Sequence, residues 1–596
     1  MEIYGVDIDG IEGVLIRFST VLDQDKSGIY ILGLAQKVVK EGLERAIKAI
    51  EQIEDNWKLE ISKITIQLSP SETEKRSVGL DLPIAVTLLL SILKQDEEKL
   101  EQKILKLDKE LNKNQRNNEL KETVRKNILK QIETLIDQKK KIIKYRKRID
   151  SDNKKYCLIG TLDIATGNIE SPRFGMFGML SAIDSSYTVI VPEESNLHAE
   201  LIAKVKGFNA YKVKNLNETW DILLGNSQPR KVEKKNERFK RKIVEGQHIP
   251  DLRDIDGLDR AKEAMMVAVA GGHNILLIGP PGQGKSMLAK ASTRLLPKLK
   301  DKEIFELNKI YSAKGELKNN EVIVTRPYKE VSHGTTEATL LGGGVPPTPG
   351  IISLAHRGIL LFDEINKFEG KIIENLRTPL EERKSAVQRV SGRIEYPCSF
   401  IMIATMNPCK CGWFNHYKCP ECGRTFLNPD ELKEPYKCEY DGKELIHRCK
   451  CNKKEIKEYK DKLSKPLLDR IDLKILVSEH DHYNKRFSHS TDRVLSIITK
   501  AREFQIKRYK YSKSIFYNAD IKDLGQYSQY DLLTPQIKGY LSRISTKWDI
   551  TPRQKMRLLL ISRTLADITQ SEKIKKENID KAIQFMGLND PYFKSF

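Results

Sequence analysis

At 596 residues the chain is far longer than a single hydrophobic core can serve, so three or four domains are expected. Apolar residues at 39% and charged residues at 31% exclude a disordered chain, and no run approaches the roughly 18 consecutive apolar residues of a membrane span. A formal net charge of +21 and a pI near 9.3 point to a polyanionic partner, since such a field attracts phosphate backbones and releases their counterions, although a lysine-rich composition alone produces the same balance.

The opening MEIYGVDIDGIEG has neither the basic nor the apolar region of a signal peptide, so the expected setting is cytoplasmic, with no membrane partner. Residues 1–93 alternate strand-like runs (Val14 to Phe18, Ile64 to Leu68) with a helical run, Gln36 to Ile53, an α/β pattern. From about Lys94 to Ile149 apolar residues recur at three and four (Ile104, Leu107, Leu111, then Val124, Ile128, Ile132, Leu135) among dense charges, which predicts two helices. The turn formers NKNQRNN, Asn112 to Asn118, join them into an antiparallel hairpin inserted at about 95–150. Its run Lys139 to Arg148 is a basic face able to touch nucleic acid, though such faces are ordinarily only solvated. The α/β pattern resumes at Tyr156, includes the strand-like YTVIVP, and ends near Gly225; residues 226–250, with QPRKVEKKNERFKRK, read as a basic linker.

Beyond the linker a helical run leads into a buried strand, Asn274 to Ile278, followed at once by GPPGQGKS. Gly279, Pro280, Pro281, Gly282, Gln283, Gly284, Lys285 and Ser286 satisfy the phosphate-binding loop pattern, between a strand and a helix as its mechanism requires. The glycines let backbone amides point at phosphates, Lys285 reaches the β and γ oxygens, and the Ser286 hydroxyl ligates Mg²⁺ at the positive end of the helix. ATP and Mg²⁺ are the cofactors expected. Downstream, GILLFDEI (Gly358 to Ile365) reads as a buried parallel strand delivering two acids to its carboxyl edge, Asp363 for Mg²⁺ and Glu364 for the attacking water. A third buried run, FIMIATMN, ends at Asn407, placed to bridge the γ-phosphate and that water. Between them VQRVSGRIEYP, Val387 to Pro397, reads as a hairpin whose Arg389 and Arg393 are candidates for phosphate contacts.

Seven of the nine cysteines lie between Cys409 and Cys451, in close pairs that favour a tetrahedral Zn²⁺ site over disulfides. CPECGRTF followed by YKCEYDGK looks like an inserted zinc ribbon, with Cys419, Cys422 and Cys438 as ligands and either Asp441 or His447 as the fourth.

GGHNILLIGPPGQGKS, LLGGG with PPTPGIISLAHRGILLFDEI, LRTPLEE, MNPCKC and LSKPLLDRIDL together resemble the magnesium-chelatase-like AAA+ family, ComM/YifB type, over most of the chain. The N-terminal part (GLDLPIAV, Gly79 to Val86) resembles that family's α/β Lon-protease-like domain of ribosomal S5 type, and TPRQKMRLLLISRTLADI resembles its C-terminal helical domain. The resemblance implies an α/β multidomain chain: a Lon-like domain over 1–225 carrying the helical hairpin, the linker, an AAA+ P-loop αβα core over 251–480 with the zinc-binding insertion at about 409–451, and a helical lid over 481–596. It implies one structural Zn²⁺ site of Cys409, Cys411, Cys449 and Cys451, making one or two zinc ions in all. It also implies that Arg470, in PLLDRID, is the arginine finger completing a neighbour's site and that Arg553 is the sensor 2 arginine; alone, either would read as a surface ion pair. A finger acting between copies requires a homo-oligomer, and the family pattern implies a hexameric ring with the 387–397 hairpin facing its channel.

Two departures stand out. Asp81 occupies about the place of the protease domain's nucleophilic serine, so proteolysis is not expected. Ser332 and His333 stand where adjacent histidines are usual, and the helical hairpin and zinc ribbon look like additions, so partner contacts differ. The function implied is that of an ATP-hydrolysing ring motor on DNA, a helicase or branch-migration translocase in recombination or DNA uptake. The alternatives are the motor subunit of a metal chelatase and a protein-remodelling or regulatory scaffold.

Overall fold

The structure, a computed structural model, describes residues 1–27, 29–32, 37–52, 62–70, 78–116, 122–232, 240–241, 249–318, 321–344, 347–389, 392–414, 416–422, 425–427, 437–438, 442–447, 449–477, 487, 489–509, 517–522 and 533–594. Its contacts divide the chain into two compact units, Met1–Arg241 with Asn308–Val322, and Lys242–Leu307 with Ile323–Phe596.

In the first unit β1 (Glu2–Asp9) and β2 (Glu12–Ser27) form an antiparallel hairpin, register Ile3 to Phe18 through Asp9 to Glu12, turning at Gly10 with φ 64°. With β3 (Ile29–Leu32), β4 (Ser62–Ser69), β5 (Lys155–Leu158), β6 (Tyr187–Pro192) and β7 (Asn209–Val213) they build a seven-stranded mixed sheet of order β3-β4-β2-β1-β5-β6-β7. The helix α1 (Lys37–Glu51) buries Val39, Ala46, Ala49 and Ile50, and packs beside α2 (Asp81–Arg116).

The composition change at Lys94 predicts the hairpin's start near 95, but α2 begins at Asp81 and runs unbroken through that point. Its first turns, Leu82 to Leu93, are core, and Pro83 sits in the first turn, where a missing N–H leaves no intrahelical bond unmade. Beyond Lys94 the helix leaves the core and pairs with α3 (Glu122–Ser151) through Glu97–Arg146 at 2.6 Å and Glu101–Lys139 at 3.2 Å. Of the predicted turn Asn112 to Asn118, the first five residues are helical, the last of α2, and Asn117 and Asn118 lie outside the described residues.

The second unit contains α4 (Asp259–Gly271) and a five-stranded, all-parallel sheet of β8 (Ile275–Ile278), β9 (Tyr328–Glu330), β10 (Ile359–Phe362), β13 (Ile401–Met406) and β14 (Leu473–Leu476), in the order β9-β10-β13-β8-β14. Every residue of β8, β10 and β13 is buried, as a parallel sheet covered on both faces requires. After β10, α6 (Arg377–Glu382) leads into an antiparallel ribbon of β11 (Lys384–Arg389) and β12 (Gly392–Pro397). The C-terminal helices α7 (Thr491–Arg508), α8 (Pro535–Lys547), α9 (Pro552–Ile568) and α10 (Lys576–Met586) share one apolar core with α4 and β8. No helix among the described residues is long and apolar enough to cross a membrane.

Candidate active site

The carboxyl ends of β8, β10 and β13, three adjacent strands, converge on one place. From β8 the chain turns through Gly279 to Gly284 into α5 (Lys285–Ala291). Gly282 and Gly284 have φ of 79° and 75°, a region costly to side chains with a Cβ, and a Cβ on Gly279 would lie 2.7 Å from the Val477 carbonyl oxygen. Lys285 is buried, its Nζ donating to the carbonyls of Gly279 (2.8 Å) and Pro280 (2.6 Å) and reaching Asn407 Oδ1 at 3.4 Å. Burial pulls its ammonium group down to about 8, against the opposing attraction of Asp363 and Glu364.

The Ser286 hydroxyl lies 2.9 and 3.0 Å from the two oxygens of Asp363, so both expected Mg²⁺ ligands already face each other. Thr405, fully buried in β13, donates to Asp363 Oδ1 at 2.5 Å and accepts from the Glu364 amide at 2.9 Å. Sequence reasoning passed over Thr405; its signal is a hydroxyl in an otherwise apolar strand. Glu364 has a left-handed backbone (φ 50°, ψ 56°), strain a non-glycine residue adopts only where its surroundings impose it, and its carboxylate pairs with half-exposed Lys367 at 2.6 Å. The arrangement offers a cation, a hydroxyl, a carboxylate at a strand end and an amide side chain around one loop of inward-facing amides. That set can hold a nucleoside triphosphate with its divalent metal.

Arg470 and Arg553 are placed elsewhere. The Asn274 side chain donates to the Arg470 carbonyl at 3.4 Å, which puts Arg470 at the amino end of β8, whereas the phosphate loop leaves its carboxyl end. Both guanidinium groups meet Glu381 of α6, at 2.6 Å for Arg470 and 3.3 Å for Arg553. In the β11–β12 ribbon Arg393 is exposed and pairs with Glu395 at 3.0 Å; the side chain of Arg389 lies outside the described residues.

The sulfurs of Cys409, Cys411, Cys449 and Cys451 all lie within 4.8 Å of one another, with separations of 3.3 Å (Cys409–Cys411), 3.6 Å (Cys411–Cys449) and 3.7 Å (Cys409–Cys449). A tetrahedron of thiolates about 2.3 Å from a zinc ion has edges of about 3.8 Å, so this group fits such an ion. Cys419, Cys422 and Cys438 form a second group within the same limit. Asp441 and the side chain of His447, the expected alternatives for its fourth position, lie outside the described residues.

In the first unit Asp81 is 1% exposed and fully engaged, accepting from Arg45 at 2.7 and 3.0 Å and from the Leu162 amide at 3.1 Å. Burial raises its carboxyl group above the ordinary value although Arg45 works the other way.

A parallel sheet in this order, a phosphate loop after β8 and a pair of acids at the end of β10, across the intervening β13, define the P-loop nucleotide-binding ATPases of the AAA+ class. Three family profiles match the chain: Magnesium chelatase, subunit ChlI, over residues 251–428 and 433–485; Subunit ChlI of Mg-chelatase over 19–131; and Magnesium chelatase, subunit ChlI C-terminal, over 488–586. Competence protein ComM of Haemophilus influenzae is 27% identical over 97% of this chain and 96% of its own, and the YifB protein of Salmonella typhimurium 26% identical over the same shares. The magnesium-chelatase 38 kDa subunit of Cereibacter sphaeroides is 28% identical over 26% of this chain and 51% of its own. The chain belongs to the magnesium-chelatase-like AAA+ family, ComM/YifB type. Membership points to an ATPase using ATP and Mg²⁺.

Proposed function

We propose that this chain is an ATP-hydrolysing ring motor on DNA, a hexameric helicase or branch-migration translocase acting in the cytoplasm. The observation that carries this reading is the placement of Arg470 at the amino edge of β8, about 13 Å along the four-residue strand from its own phosphate loop. A cation there cannot serve its own nucleotide and is presented to another copy, so the site is complete only between subunits.

In this reading the backbone amides of Gly279 to Gly284 and the ammonium group of Lys285 bind the phosphates, Lys285 giving up its loop carbonyls to do so. Ser286 and Asp363 would hold Mg²⁺, which supplies charge neutralisation between the β and γ phosphates when bound. Glu364 leaves its exposed pair with Lys367, a contact worth little, to orient and deprotonate water, while Asn407 steers the γ-phosphate. Arg470, the finger, and Arg553, the sensor 2 arginine, which meets the same Glu381 and so is offered from the same copy, stabilise charge developing on the γ-phosphoryl group of a neighbour. Arg389 and Arg393 on the channel hairpin meet DNA phosphates, a role supported by the net charge of +21 and the likeness to a competence protein. The cysteine groups would hold one or two structural Zn²⁺ ions, the first in the four-sulfur group. The first unit is read as a Lon-protease-like domain without a nucleophile, and the C-terminal helices as the lid.

The second reading, favoured by the names of the three matching profiles, is the motor of a metal-chelatase-like or protein-remodelling complex. Steady-state ATPase rates with single-stranded, double-stranded and branched DNA at several salt concentrations, with Glu364→Gln as the blank, separate the two. Stimulation by one DNA form that fades with salt is expected; turnover indifferent to every DNA moves the assignment to the second reading.

A further inference from the structure

Two guanidinium groups from distant parts of the chain share one carboxylate. Glu381, in the last turn of α6, accepts from Nε and Nη2 of Arg470 on Oε2 at 3.1 and 2.6 Å, and faces Nη2 of Arg553 with Oε1 at 3.3 Å. The remaining arm of Arg470 donates to the Pro466 carbonyl at 2.7 Å, so every nitrogen of that group is fixed. The two segments are tied a second time below the surface. Arg557, one turn beyond Arg553 on α9, pairs at 3.2 Å with Asp472, which is fully buried and accepts from the Asn274 amide at 2.9 Å.

The two ties do different things. Asp472 is buried and locks the backbones of the arginine loop and α9 together at the end of β8. Glu381 is 47% exposed, and an ion pair so placed contributes little to stability. What it does is electrostatic: it cancels the repulsion between two neighbouring cations and holds both side chains in one place.

We propose that Glu381 is a positioning residue for ATP hydrolysis, presenting Arg470 and Arg553 as one preassembled cationic pair to the γ-phosphoryl group bound by a neighbouring copy. This rests on the reading of the two arginines given above. Two guanidinium groups and one carboxylate leave one net positive charge facing outward. Cations aligned in advance need no reorganisation when negative charge develops on the transferring group, so Glu381 acts on the transition state more than on ATP binding.

The test uses the full chain with Glu381→Gln, which keeps the size and removes the charge, Glu381→Asp, which keeps the charge on a shorter stem, and Arg470→Ala alone and combined with Glu381→Gln. Expected for Glu381→Gln is a fall in kcat of about tenfold or more, with KM for ATP moving less than about threefold and an unchanged thermal midpoint. Glu381→Asp should recover part of kcat, and Glu381→Gln should cost less than about twofold further once Arg470 is gone, because the two act as a unit. If Arg470→Ala loses turnover while Glu381→Gln keeps it, or if the two losses multiply, the positioning role is wrong and the arginine reading stands. If Arg470→Ala hydrolyses ATP at the parental rate, the arginine reading falls and this proposal falls with it.

Discussion

Asp81 and Asp363 are aspartates of the same kind in two α/β units, and their surroundings set them to opposite tasks. Asp81 is spent: a guanidinium group and a backbone amide occupy its oxygens, and its carboxylate closes the start of α2 onto α1. Asp363 faces two hydroxyl groups, Ser286 and Thr405, which orient it without neutralising it. A buried carboxylate with its own cation is architecture, while one at a strand end whose recorded partners are hydroxyls has capacity left for a metal.

Exchanging the roles of these residues breaks the comparison if it is wrong. Asp363→Ala is expected to lower ATP turnover by roughly a hundredfold or more while moving unfolding free energy by no more than about 1 kcal/mol, because Mg²⁺ loses a ligand and two hydroxyls lose an acceptor. Turnover at saturating Mg²⁺ and a denaturant melt read the two effects. Asp81→Ala is expected to do the reverse, costing about 3 kcal/mol by leaving Arg45 without its partner, with kcat per folded molecule unchanged. An Asp81→Ala chain that melts normally but hydrolyses poorly would reverse the assignment.

The smallest effect sharpens the picture of the phosphate loop. Burial holds Lys285 at about 8, below the ordinary lysine value of 10.5, so between those limits the folded chain binds fewer protons than the unfolded one and stability rises with pH. Phosphate binding needs the ammonium form. ATP affinity is therefore expected to be flat below about pH 8 and to weaken by up to about tenfold per pH unit above it. Calorimetry in buffers of different ionisation enthalpy should show proton uptake on binding above pH 8 and none well below it.

The local features were legible in the sequence. Glycines at fixed offsets after an apolar run, acids closing a second and an asparagine closing a third are patterns a few residues long, and the sheet brings Lys285, Ser286, Asp363 and Asn407 within hydrogen-bond reach. What escaped reading was tertiary. Nothing in LRTPLEE says that Glu381 collects two arginines from far along the chain, and nothing near Asp81 names Arg45 as its partner. The start of α2 escaped for another reason. The change in composition at Lys94 marks where the helix leaves the core, and a helix that is buried and then exposed changes its residue types without changing its backbone.

That unbroken helix has a mechanical consequence. The 36 residues of α2 make a rod of about 54 Å, anchored at one end among the buried side chains of the first unit and reaching about 33 Å past Lys94. With no proline, glycine or loop between root and reach, and α3 bracing it alongside, the arm has no joint. As an outrigger, it would hold any contact on its outer part at a set stand-off from the sheet, and a push there would reach the strands at its root as torque.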